Sequence, residues 1–433
     1  MAEFEIRDPI HKRIPFNALE HKVIDHPFVQ RLRFISQLSF LQAYVYPGAT
    51  HDRFSHVLGA MHVAGRLAGR MRTSLEGTRV ALGAEVWDEL AQVMRLAGLL
   101  HDVGHGPFSH ASESVFPKLT SLPLNNSWWV NGERPMRQAR HEDYSVLLVQ
   151  TLAEDGVLPQ TMAQDVASLI HEEVVPSTWF EDLEHEVPRL QRACKALISG
   201  EVDCDRMDYL LRDSYYCGVA YGMYDLDWLI SSLGFAIEDG QMVLQLSENG
   251  VRAFEDMLLA RYHMIDQVYF HKTAVGFTHY LTQVFREREI DLVIPSDPYT
   301  YASLRDGKVV EMMEEAAVAE KYWSKHLMRR VPAKHVMRFH EEREKDRLLL
   351  GGLMQLCKRE AIRFFVVESR NALSKVDVSG EKSGLFVARK MIHGYENVPI
   401  AEYSDLLKKY NEKIRFTDFY VLREDREKFQ QAV

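Results

Sequence analysis

Residues 89–110, ELAQVMRLAGLLHDVGHGPFSH, restrict the folds open to this chain more than any other stretch. Val93, Leu96, Ala97 and Leu100 recur at helical spacing and face one way, so a helix buried along that stripe delivers His101 and Asp102 to its end. A buried ionisable pair needs a partner. Gly104, Gly106 and Pro107 then stop the helix, and His105 and His110 follow within about three helical turns of His101. Histidines at helix ends also cap carbonyls, and Gly and Pro end helices in any protein. The rest of the chain has to separate a capped helix end from a site.

With 433 residues, 46% hydrophobic and 26% charged, the chain can bury a sizeable core and is expected to form two packed units. Its formal net charge of -10 excludes nucleic-acid binding through overall charge, so any anionic ligand must meet clustered Arg and Lys. Cys194, Cys204, Cys217 and Cys357 show no CxxC spacing, which argues against a disulfide framework or Cys-based zinc site and fits a reducing compartment. MAEFEIRDP has no apolar signal core, and no run approaches membrane-spanning length. The expectation is a cytoplasmic protein without a membrane partner.

The first two-thirds is dominated by helical periodicity. After an extended entry marked by Pro9 and Pro15, HPFVQRLRFISQL reads as a helix, and Pro47-Gly48 as a turn. In SHVLGAMHVAGRLAGRM, Val57, Leu58, Met61, Ala64, Leu67 and Ala68 trace one stripe. TSLPLNNSWWVNGERPMRQ reads as a loop, while HEDYSVLLVQTLAED and KALISGEVDCDRMDYLLRDSYY read as helices. From about Arg338 onward, IRFFVVES, GLFVARKM and FTDFYVLRE are short and rich in Val, Phe and Ile, the signature of strands. The expected fold class is mainly α: a helical core over residues 1–294, then, beyond Pro295, a smaller C-terminal α+β region over 295–433.

Three separated segments hold candidate metal ligands: His56 in THDRFSH, the pair His101 and Asp102, and Asp205 in EVDCDRMDY. Imidazoles with carboxylates suit one divalent ion such as Mn²⁺, Fe²⁺, Zn²⁺ or Ni²⁺, and Mg²⁺ less naturally. Each piece alone also reads as a structural His or a solvated acidic helix. Together they gain weight, because Asp205, Asp208, Tyr209, Arg212 and Asp213 share neighbouring faces of one helix while Met207, Leu210 and Leu211 cover the other. In LLARYHMIDQVYFHKT, Arg261, Ile265, Tyr269 and Lys272 form one helical stripe. Guanidinium, ring and ammonium in line suit a polyphosphate with a sugar or base, although an ordinary amphipathic helix would present the same spacing. Phosphoester hydrolysis needs a cation on the phosphoryl oxygens, an activated water and a proton donor, and histidine suits the last two.

From DPIH to VYFHK, roughly the first two-thirds of the chain, these ordered segments resemble the HD-domain phosphohydrolases. Within them they are similar to the deoxynucleoside triphosphate triphosphohydrolase branch that includes the vertebrate SAM-and-HD-domain enzyme and bacterial relatives. The resemblance is carried by Arg53, Phe54, Ser55 and His56, by the His101-Asp102 pair, and by the Asp-x-Asp-x-x-Asp-Tyr segment ending at Tyr209. It implies His56, His101, Asp102 and Asp205 as metal ligands, His141 and Glu113 as an acid–base pair, and His105 and His110 as further catalytic groups. It further implies that Arg53 meets the phosphate nearest the sugar, Arg261 and Lys272 the outer phosphates, and Gln37, Tyr209, Asp213 and Tyr269 the deoxyribose. Tyr269 would crowd the 2′ position.

Asp25, Gln30 and Arg33 match a regulatory nucleotide site, whereas Phe4 and Trp228 stand where the vertebrate pattern has Lys and Arg. The resemblance implies hydrolysis of deoxynucleoside triphosphates to deoxynucleoside and triphosphate by a homo-oligomer, dimer or tetramer, open to an activating nucleotide and needing no nucleic acid. A chain without an amino-terminal SAM domain is expected. Two other readings remain: hydrolysis of a nucleoside monophosphate or cyclic dinucleotide, which makes the Arg261 stripe dispensable, and a non-catalytic nucleotide sensor or nucleic-acid-binding regulator, which has no use for proton-transfer groups.

Overall fold

Two long helices frame the protein in a computed structural model that describes residues 4–76, 82–238, 240–372, 385–410 and 413–433. Helix α1 (Arg53–Leu75) starts where the Asp52 carboxylate accepts the Ser55 amide at 2.9 Å, a side-chain cap that satisfies an otherwise orphaned donor. Its apolar stripe is buried as its spacing predicts. Helix α2 (Ala84–Leu100) crosses it closely, because a Cβ at Gly98 would sit 2.9 Å from the Ala60 carbonyl and 3.0 Å from the Ala64 methyl. Three more helices surround this pair: α3 (His141–Glu154), α4 (Cys204–Cys217) and α5 (Val251–Met264).

An antiparallel hairpin, β1 (Phe4–Asp8) and β2 (Lys12–Phe16), forms the extended entry, with Ile6 opposite Ile14. The helix expected over HPFVQRLRFISQL is shorter than its periodicity predicts: only Pro27–Gln30 is α-helical, and Arg31–Phe34 winds as a 3-10 turn. Arg31 is drawn inward there to bond backbone carbonyls, a stronger claim on the chain than continued helical pitch. The loop expected over residues 120–138 consists of short 3-10 turns and irregular chain.

The strands expected near the C-terminus form in two places. β5 (Lys334–His340), β6 (Phe364–Ala372) and β9 (Lys413–Val421) make an antiparallel sheet in the order β5-β9-β6. β7 (Leu385–Lys390) instead pairs in parallel with β4 (Gln241–Ser247), extending a sheet of order β3-β4-β7-β8 with β3 (Leu233–Glu238) and β8 (Tyr395–Pro399). Helical periodicity hid β3 and β4, although the sequence Asp239-Gly240 between them is a hairpin signal. Tyr301, Leu385, Val387 and Ile400 share one apolar core with Leu58 and Leu100. Among the described residues no helix is long and apolar enough to cross a membrane.

Gly98→Ala is expected to push α1 and α2 apart at a cost of ~1–3 kcal/mol, read as a lower midpoint in thermal unfolding followed by circular dichroism.

Candidate active site

The end of α2, the first turns of α1 and the start of α4 bring the separated metal-ligand candidates together. His56 Nε2 lies 3.0 Å from Asp205 Oδ1 and 3.7 Å from Asp102 Oδ2. His101 Nε2 lies 3.5 Å from both Asp102 Oδ1 and Asp205 Oδ1. The other nitrogen of each ring is committed: His56 Nδ1 donates to Asp208 Oδ2 at 2.8 Å and His101 Nδ1 to the Gly98 carbonyl at 2.9 Å. Tautomers assigned from these acceptors leave both Nε2 lone pairs aimed into the pocket, where neither buried nitrogen has a hydrogen-bond partner. Burial opposes charging the His56 ring, yet Asp205 and Asp208 outweigh it and push its pKa up to about 10, so a cation held at Nε2 would displace a proton. The pocket is built for positive charge. Two orphaned imidazole nitrogens and two carboxylates fit a borderline divalent cation.

The turn after α2 carries the second cluster. His105 Nε2 is 3.3 Å from Asp102 Oδ1, and its ring stacks on His141 with centroids 3.8 Å apart. Glu113 Oε1 accepts from His141 Nδ1 at 2.6 Å and from His110 Nδ1 at 3.0 Å. Burial raises the Glu113 pKa, but these two donors override it and bring it down to about 2, so the carboxylate stays ionised and leaves Nε2 of each ring as the atom that exchanges a proton. Burial, Arg53 and His141 hold His105 well below the usual imidazole range. His110 is the exposed member, with 71% of its side chain in solvent.

Close approach, rather than left-handed backbone, explains the loop's glycines. A Cβ at Gly104 would meet the His141 carbonyl and the Ser145 amide at 2.2 Å. The left-handed residues are Phe108 and Ser109, both at φ 58, and strain of this kind collects at functional sites.

Both clusters open on one cavity of about 670 Å³, whose wall also carries Gln37, Arg53, Tyr209, Asp213, Arg261 and Tyr269. Arg53 bonds Asp102 through Nη1 and reaches Ser109 Oγ at 2.8 and 3.0 Å. The Tyr269 hydroxyl donates to Asp213 Oδ2 at 2.7 Å, while His51 Nε2 lies 2.8 Å from Asp213 Oδ1. The stripe expected through Lys272 is broken. Ile265–Tyr269 winds as a π-turn, and a new helix, α6 (Lys272–Arg286), begins after His271 caps the Thr273 amide. The wider turn shifts the angular step, so Arg261, Ile265 and Tyr269 line the cavity and Lys272 does not.

Asp25, Gln30 and Arg33 lie away from the cavity wall. Arg33 Nε donates to Gln30 Oε1 at 2.8 Å and its guanidinium covers the Phe54 ring at 3.6 Å. Asp25 pairs with His21 at 3.2 Å.

The sequence reading missed the support behind His56. Asp208 receives His56 Nδ1, a contact from His11 Nε2 at 2.7 Å, and both Nε and Nη2 of Arg212 at 2.8 Å. Arg212 Nη1 continues to Asp8 Oδ2 at 2.8 Å. The i,i+4 spacing of Asp208 and Arg212 was a visible signal for the pair, but Asp8 and His11 arrive from the N-terminal hairpin.

Asp208→Ala is expected to weaken divalent-metal binding ~10–100-fold, the usual range for loss of an outer partner, in a metal titration followed by calorimetry. Glu113 has a second signature. Its pKa falls from 4.5 unfolded to about 2 folded, so its contribution to stability is complete above pH 4.5 and is lost as pH falls toward 2. The gap in stability between wild type and Glu113→Gln, measured by denaturant unfolding, should therefore close over that interval.

Residues 53–213 match the HD domain model and residues 224–349 the HD associated region. Over 62% of its length the chain is 33% identical to an uncharacterized protein of Methanocaldococcus jannaschii. Over 78% it is 27% identical to the deoxynucleoside triphosphate triphosphohydrolase SAMHD1 homolog of Dictyostelium discoideum. It spans 46% of the first relative and 60% of the second. The crystal structure of a hypothetical protein from Aquifex aeolicus superposes with a TM-score of 0.73 at 24% identity, covering 100% of both chains, and shares the fold. Taken with the His–Asp pocket between α1, α2 and α4, these matches place residues 53–213 in the HD-domain family, with similarity over a longer stretch to a deoxynucleoside triphosphate triphosphohydrolase.

Proposed function

We propose that the protein is a metal-dependent deoxynucleoside triphosphate triphosphohydrolase that releases deoxynucleoside and inorganic triphosphate. The observation that carries this reading is one cavity wall holding the His–Asp pocket, the stacked imidazoles and the guanidiniums of Arg53, Arg206 and Arg261. The similarity to a named triphosphohydrolase supports the substrate class. His56, His101, Asp102 and Asp205 would hold the cation, which when bound supplies charge neutralisation and Lewis acidity at the phosphoryl oxygens. Arg53 and Arg261 bind and orient the triphosphate, Arg53 from beside Asp102 and Arg261 from α5. Guanidiniums suit this task because their planar forks match phosphate oxygens.

Asp213 and Tyr269, joined by a 2.7 Å hydrogen bond, meet the sugar, with Gln37 and Tyr209 beside them. Lys272, the other residue implied to meet the outer phosphates, is not on the cavity wall. Glu113 orients His110 and His141 through their Nδ1 atoms. The His105, His110 and His141 group then holds or moves the protons that the attacking water loses and the sugar oxygen gains. Assembly into a dimer or tetramer and activation by a nucleotide at Asp25, Gln30 and Arg33 belong to the same reading.

Anion-exchange chromatography after incubation with each deoxynucleoside triphosphate and Mn²⁺ is expected to show deoxynucleoside and intact triphosphate in equal amounts. Release of monophosphate or diphosphate products, or no turnover with any substrate, would overturn the assignment. Asp205→Ala should abolish turnover while leaving the thermal unfolding midpoint near that of wild type.

A further inference from the structure

Beyond α2 the chain has to satisfy a run of buried backbone carbonyls without help from a helix. Local turns satisfy those of Asp102 and Gly106, and side chains from elsewhere in the fold reach those of His101, Val103, Gly104 and His105. The His101 carbonyl accepts Ser145 Oγ at 2.7 Å. The Val103 and His105 carbonyls accept Nη1 and Nη2 of Arg31 at 3.4 and 2.7 Å, and the Gly104 carbonyl between them accepts the Tyr301 hydroxyl at 2.6 Å. At the far end of the loop, Asp306 Oδ1 accepts the amide of Phe108, the first of the two left-handed residues, at 3.0 Å. Its Oδ2 accepts the Ser36 amide and hydroxyl at 2.9 and 2.6 Å.

The parts of this clasp are joined to one another. Arg31 Nε donates to the Leu304 carbonyl at 2.9 Å, and its guanidinium carbon lies 4.7 Å from the Tyr301 ring centroid. Arg31 is 1% exposed, and its hydrogen bonds to Leu304, Val103 and His105 all go to carbonyls rather than to a carboxylate. Burying a guanidinium in this way is a poor route to stability. It is a good route to geometry, because a rigid fork reaches several carbonyls at once and its charge complements the C-terminal end of α2.

We propose that Arg31, Tyr301 and Asp306 are positioning residues for the candidate reaction, clasping the 101–110 loop in the strained conformation that holds His105 between Asp102 and His141. This rests on the reading of His105 and His141 as proton-handling groups. The clasp also gives residues 301–306 a defined task, since they lie outside the matched stretch that carries the His–Asp pocket.

Tyr301→Phe and Arg31→Lys test the clasp. Tyr301→Phe removes one hydroxyl and keeps the ring; Arg31→Lys keeps the charge but cannot fork across the carbonyls. A displaced catalytic group costs on the order of 10–100-fold in rate, so each variant is expected to lose about that much kcat with KM and bound metal per chain unchanged. The ¹⁵N imidazole resonances of His105 and His141, followed through a pH titration of the metal-loaded protein, should shift in both variants. Wild-type kcat with unmoved imidazole signals in Tyr301→Phe would overturn the proposal. So would loss of metal or a thermal midpoint lowered in proportion to the activity, which marks a structural support. If Arg31→Lys does not fold, Tyr301→Phe decides. Should wild-type protein release no triphosphate from any substrate, the proposed function fails, and the imidazole signals still decide the clasp.

Discussion

The buried ion network centred on Asp208 is the interaction on which the rest of the site depends. Asp208 and Arg212 are fully buried and meet in a two-pronged pair, which takes Asp8 and His11 from the N-terminal hairpin and His56 from α1. Such a group is expensive to desolvate and returns its cost only when every donor and acceptor is used. Here that condition also sets chemistry, since Asp208 takes the Nδ1 proton of His56 and turns Nε2 toward Asp102 and Asp205. Gly59 belongs to the same arrangement: a Cβ there would lie 1.8 Å from Asp208 Oδ1 and 2.6 Å from Arg212 Nη2. Helix α1 can approach α4 closely enough to place His56 only because that position has no side chain.

Around the network, the candidate site is assembled from the ends of elements rather than their middles. The end of α2 supplies His101 and Asp102, and the beginnings of α1, α3 and α4 supply Arg53, His141 and Asp205. Helix ends leave backbone groups unsatisfied and side chains free to converge, which suits a centre that must hold charge. Positive charge on the wall is local. The chain carries a net charge of -10, yet Arg53 and Arg261 stand on the cavity wall beside the imidazoles, so any attraction for an anion acts within the cleft and not across the surface.

The helical core and most candidate residues were legible because their signals are periodic or local. The stripe of α2 required an end at His101, and the mixed faces of α4 required a cleft for Asp205, Tyr209 and Asp213. Other features turned on contacts between distant segments. Lys272 fell outside the cavity wall because a π-turn at Ile265–Tyr269 interrupts the helix, and no residue pattern announces one extra residue in a turn. β7 is a strand in its own sequence, but its parallel partner β4 lies more than a hundred positions upstream, so the sheet could not be drawn from local reading.

The sequence by itself determined that a mainly helical chain carries His56, His101, Asp102 and Asp205 with imidazoles close behind, since ionisable residues at the end of an apolar stripe demand a shared, charged cleft. Tertiary structure alone decided which nitrogen of each histidine faces the pocket, because tautomers follow from acceptors such as Asp208 and the Gly98 carbonyl. It also decided that the 101–110 loop is closed by Arg31, Tyr301 and Asp306. Backbone carbonyls have no residue identity, so the donors that satisfy them can be found only when the chain is folded around them.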